Sequence, residues 1–139
     1  MRIGIEDRLK AKVTALRAGP VAVRVDLALP GGDPLVAVIT PGSVARLGLE
    51  VGVEVLALLL PPGLLLGSGG GMPWTETRWP ARVIALRSGP LNLSVQLQTE
   101  QGTAVRVVLT REAARELGLG PGAQVDIGVL ASQVVLARH

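Results

Sequence analysis

No cysteine, phenylalanine or tyrosine occurs in the 139-residue chain, and histidine appears once, as the final residue His139. A disulfide framework and a thiolate or imidazole metal site are therefore excluded, and a direct cation site is not expected. No pair of carboxylates stands at a spacing that points to acid–base work, so hydrolase and transferase chemistry finds no candidates and the chain reads as a non-enzyme without a cofactor. Aromatic side chains are confined to Trp74 and Trp79. Binders of single-stranded nucleic acid stack bases on aromatics along a basic groove. Here residues 1–70 carry seven basic and six acidic side chains and residues 71–139 carry seven and five, which makes no basic stripe. Nucleic acid is not an expected partner. The longest apolar run, LALLLPPGLLL at 56–66, is broken by Pro61, Pro62 and Gly63, and a bilayer-spanning helix needs about 20 apolar residues. No N-terminal export segment is visible, so the expectation is a cytoplasmic protein with no membrane partner.

What is present is aliphatic. Hydrophobic residues make up 48% of the chain, and the mean hydropathy is +0.46. Val, Leu, Ile and Ala must build the core through many small contacts. A unit of roughly 65–70 residues seldom gains more than about 3–5 kcal/mol from its own core. With disulfides and metals excluded, association with further copies of the chain is the remaining reinforcement.

The chain also repeats itself. VTALRAGP (13–20) matches VIALRSGP (83–90), and LGLEVGVEV (47–55) matches LGLGPGAQV (117–125). The register holds without a gap from Arg8/Arg78 to Leu66/Leu136, with about a third of the pairs identical. This is a duplication. Its parts are a first module at 1–66, a Gly-rich linker at 67–73 and a second module at 74–139.

Within each copy the pattern is β. Leu91, Leu93, Val95 and Leu97 alternate with Asn92, Ser94 and Gln96, and Val21, Val23, Val25, Leu27 and Leu29 do the same in the first copy. Gly31-Gly32 and Gln101-Gly102 predict hairpin turns. Thr40 and Thr110 then cap short helices that stop at Gly48 and Gly118. Gly52 and Gly122 turn the chain into VEVLALLL and AQVDIGVL, and a last short strand is LLL or VVL. Trp79, aligned with Leu9, is expected in the core, whereas Trp74 is expected to anchor an interface. The fold class is all-β with short helices, arranged as two tandem OB-like Greek-key barrels.

A strand K-V-x-x-L, then V-I-T-x-x-S-x-x-x-L-G-L-x-x-G-x-x-V, closing on A-S-x-V-x-L, resembles the Mop module, also called molbindin or TOBE-type domain. The resemblance covers nearly the whole chain and is strongest at ITPGSVARLGLEVGVEV (39–55), LTREAARELGLGPGAQV (109–125) and VLASQVVL (129–136). It implies a free-standing tandem protein without a helix-turn-helix, assembled as a homo-oligomer, a trimer, whose interfaces bind molybdate or tungstate.

In that family the anion is held by an S-A-R-N segment before the first strand and a K-A-S segment entering the last. A tetrahedral dianion taken from water needs N–H and hydroxyl donors and ideally a cation. The S-A-R-N positions fall here on Gly4, Ile5, Glu6 and Asp7 and on Trp74, Thr75, Glu76 and Thr77. Both copies thus place Glu where the resemblance implies Arg. The K-A-S positions are Leu60, Pro61 and Pro62 in the first copy, where proline removes two N–H donors, and Leu130, Ala131 and Ser132 in the second. The candidate oxyanion ligands are Ala131 and Ser132, with Thr75 and Thr77 as substitute hydroxyls and Arg8 and Arg78 as cations. Each has a structural alternative: Ser132 as a surface serine at a strand entrance, and Arg8 and Arg78 as partners of Glu6 and Glu76. The leading function is storage or homeostasis of molybdate or tungstate. The alternative is a structural or regulatory oligomerisation module that keeps the fold without the ligand.

Overall fold

A computed structural model describes residues 7–60, 63–68 and 73–138. The expected site positions Gly4, Ile5, Glu6, Pro61 and Pro62 lie outside these residues. Among the described residues, ten strands and two short helices follow the repeat: β1 (Asp7–Ala18), β2 (Val23–Ala28), β3 (Pro34–Ile39), α1 (Pro41–Leu47), β4 (Glu54–Leu59) and β5 (Leu64–Gly67), then β6 (Thr77–Ser88), β7 (Asn92–Thr99), β8 (Ala104–Thr110), α2 (Arg111–Glu116), β9 (Gln124–Val129) and β10 (Val134–Ala137). They form two curled five-stranded antiparallel sheets, the tandem OB-like barrels that the alternation predicts.

The local signals act as expected. Thr40 Oγ1 accepts from the Ser43 N–H and Thr110 Oγ1 from the Ala113 N–H, both at 3.1 Å, satisfying helix donors that have no partner inside the helix. Gly32 and Gly102 take φ of 101° and 97° in their hairpin turns, a region that side chains avoid. The alternation is overextended at one place in each copy. Val21 and Leu91 are 81% and 85% exposed because they sit in the turns after Gly19-Pro20 and Gly89-Pro90, ahead of the strands.

The final strands change partners. Sheet order is β10-β4-β1-β2-β3 in one barrel and β5-β9-β6-β7-β8 in the other. β5, from the first repeat, pairs with β9 of the second, while β10 of the second pairs with β4 of the first. The sequence boundaries at 66 and 74 therefore do not separate two hydrogen-bonded sheets. Exchange puts Leu64, Val134 and Leu136 into the opposite barrel, and one continuous apolar core runs through both repeats. This is a physical answer to the small size of each module, since fully burying one such side chain stabilises by about 1.5–3 kcal/mol.

Polar contacts reinforce the junction. The Trp79 Nε1–H donates to the Pro34 carbonyl at 2.6 Å, where the aligned Leu9 has no donor. The Val36 N–H donates to Thr77 Oγ1 at 2.9 Å, and the Thr99 hydroxyl donates to Asp33 Oδ2 at 2.5 Å. Gly31 lies so close to the Gln101 carbonyl that a Cβ there would collide with backbone. The two hairpin turns thus meet across the junction.

Candidate oxyanion site

The β6–β9 ladder ends with Thr77 opposite Val129. Beyond this rung the Thr75–Glu76 segment and the Leu130–Ser132 segment leave the sheet together, which brings the two candidate motifs of the second copy side by side. A 3-10 turn, Ala131–Gln133, then leads into β10. Ala131 is wholly buried and Ser132 is exposed. A small buried residue thus stands next to an exposed hydroxyl at the mouth of β10.

One feature of the site escaped the sequence. The Ala131 N–H donates to Glu76 Oε1 at 3.0 Å. The residue standing where the resemblance implies Arg therefore reaches the backbone donor of the opposite motif. Sequence carried a hint of this in the repeated Glu, but the pairing becomes visible only when the ladder's end places residues 76 and 131 together.

The other candidates are placed as follows. Thr75 is buried and its hydroxyl donates to the Thr77 carbonyl at 2.7 Å. Thr77 is buried, with its Oγ1 accepting the Val36 N–H of β3. Both hydroxyls are engaged in holding the segment and the junction. Arg78 follows on β6, exposed, in register with Gly128. Arg8 is exposed on β1 of the other sheet, in the row Arg8–Leu58–Val135 that the exchanged strand completes. Arg8 and Arg78 therefore stand on different sheets.

Gly63, which follows the first-copy motif, lies against this turn. The Leu130 N–H donates to the Gly63 carbonyl and the Gly63 N–H to the Leu60 carbonyl, both at 2.9 Å. A Cβ on Gly63 would run into Gln133, so glycine is what lets the chain at this position close up on the Ala131–Gln133 turn. A separate cleft of 540 Å³ opens on the outer face of the second sheet, lined by Arg82, Gln98, Glu100, Gln124 and Asp126 among others. Its lining mixes both signs of charge and includes no residue of the two motifs. Among the described residues no cluster of His, Cys, Asp and Glu could hold a metal ion, and no helix is long and apolar enough to cross a membrane.

The TOBE domain model matches twice, over residues 4–65 and 74–136. The chain belongs to the TOBE-domain family. As a tandem of two such repeats it is similar to the molybdenum-pterin-binding protein MopA of Rhodobacter capsulatus, 36% identical over 99% of this chain and 52% of that protein. MopB of the same organism is 34% identical over 99% of this chain and 52% of its own length. The chain thus spans about half the length of these curated relatives. A solved structure of the cytoplasmic molybdate-binding protein ModG, with molybdate bound, matches end to end, with 35% identity, a TM-score of 0.91 and 100% of both chains covered. These relatives bear the names of binding proteins rather than enzymes.

Proposed function

We propose that this tandem TOBE protein binds molybdate or tungstate, without transforming it, and serves intracellular storage or homeostasis of the oxyanion. The observation that carries the reading is the end-to-end likeness to molybdate-binding ModG, and the Ala131–Ser132 turn, which resembles the family's K-A-S segment, supports it as the candidate donor. Binding is ionic and hydrogen-bonded: the dianion accepts from the Ala131 N–H and the Ser132 hydroxyl, and cationic side chains such as Arg78 and Arg8 offset its desolvation. Nothing in this scheme needs a general base or a redox group. The likeness to a cytoplasmic protein supports a cytoplasmic location.

The site is completed by further copies of the chain in a homo-oligomer, a trimer. Supporting this are the exposed apolar side chains Val21, Leu91, Val108, Val135 and Trp74, the last of which is 77% exposed beside the candidate segment. Large aromatics of this kind act as anchors when an interface covers them. Isothermal titration with molybdate, tungstate and sulfate tests the function. Heat and saturation with the first two are expected; no heat from either at high micromolar ligand contradicts the proposal and leaves the fold as an oligomerisation module.

A further inference from the structure

We propose that Glu76 is a built-in competitor for the oxyanion, setting how tightly the Ala131–Ser132 turn takes its ligand. The inference rests on the functional reading above. Its basis is the hydrogen bond from the Ala131 N–H to Glu76 Oε1 at 3.0 Å. An N–H directed at a carboxylate oxygen cannot at the same distance and angle serve an oxygen of a second anion. Ligand entry at this donor therefore requires Glu76 to swing away, with loss of a charge-assisted hydrogen bond. A carboxylate that stays near the pocket afterwards repels the dianion. Glu76 is half-buried while its neighbours Thr75 and Thr77 are buried and tied down, so the displacement falls on the Glu76 side chain rather than on the segment.

The repeat makes the device one-sided. Residue 76 aligns with Glu6, but residue 131 aligns with Pro61, which has no N–H to give. The sequence thus offers this pairing of carboxylate and backbone donor in the second copy alone. The consequence is a protein that releases its oxyanion readily and fills only when the free anion is abundant, a property suited to buffering rather than to tight sequestration.

Glu76→Ala and Glu76→Gln test this on the full chain, by titration with molybdate and with tungstate. Both variants are expected to bind at least about tenfold more tightly than the native protein, whereas Glu100→Gln, which removes the same unit of charge at the β7–β8 turn, stays within about twofold. Glu76→Gln keeps the shape of the side chain and so reads the charge even where Glu76→Ala perturbs the fold. Native binding with unchanged or weaker binding in both variants overturns the inference and leaves the functional reading standing. Silence from native protein and variants alike overturns the functional reading and the inference with it. Silence from the native protein with binding by the variants supports both. A second readout needs no affinity: hydrogen exchange at the Ala131 amide is expected to accelerate at least about fivefold in unliganded Glu76→Ala and to slow again with saturating molybdate. Unchanged exchange at Ala131 on substitution contradicts the contact itself.

Discussion

Ser132 and Thr77 show how two hydroxyls of the same segment pair take different work. Ser132 is exposed at the entrance to β10, free of the core, and is the side-chain donor of the proposed site. A hydrogen bond to a charged group contributes about 1.5–3 kcal/mol, so Ser132→Ala is expected to weaken molybdate binding by about tenfold or more in calorimetric titration while leaving the melting temperature of the unliganded protein unchanged. Thr77 is buried, and its oxygen is the acceptor for the Val36 N–H. Thr77→Val keeps the shape and removes the acceptor, which strands a buried backbone donor. A loss of about 1–3 kcal/mol in denaturant unfolding is expected. Equal stability of the variant and the native protein would show that the junction does not depend on this bond.

Among the elements, the exchanged strands carry the most consequence. Leu136 of β10 packs into the first barrel, opposite Ala57. Leu136→Ala is expected to cost about 2–5 kcal/mol, and because the strand bridges the barrels, near- and far-ultraviolet signals should fall together in one transition. Two separated transitions would mean that the repeats unfold independently. Gly31→Ala is expected to destabilise as well, by forcing the two hairpin turns apart at Gln101.

The strands, caps and turns were legible in the residues because alternation, Thr at a helix start and glycine at a turn each act over a few positions. The exchange was not. LLL at 64–66 and VVL at 134–136 have the same local pattern whether they close their own barrel or its neighbour, and only three-dimensional reach decides. The same holds at the site. The motif positions could be counted from the repeat, and Thr75 and Thr77 read as open hydroxyls because their acceptor and donor partners lie on the segment's own backbone and on β3, forty-one positions away in the case of Val36 and Thr77. Glu76 read as a charge in the wrong place. Its hydrogen bond to Ala131 depends on two strands ending at one rung.

At the scale of the whole molecule, two small barrels share one core by trading strands, and the proposed oligomer extends the same solution outward. Light scattering behind size exclusion is expected to give three chains per particle; a monomer at micromolar concentration would contradict the assembly. A ligand that binds the native form alone stabilises it, by about 2.7 kcal/mol when present at a hundred times its dissociation constant, so molybdate should raise the melting temperature and an equal concentration of chloride should not. The most direct test of the account is a crystal of the assembled protein soaked in tungstate and measured at the tungsten absorption edge. The account predicts an anomalous peak within hydrogen-bonding distance of the Ala131 amide and the Ser132 hydroxyl, with Glu76 turned away. Tungsten absent from that turn, or bound only elsewhere, would contradict it.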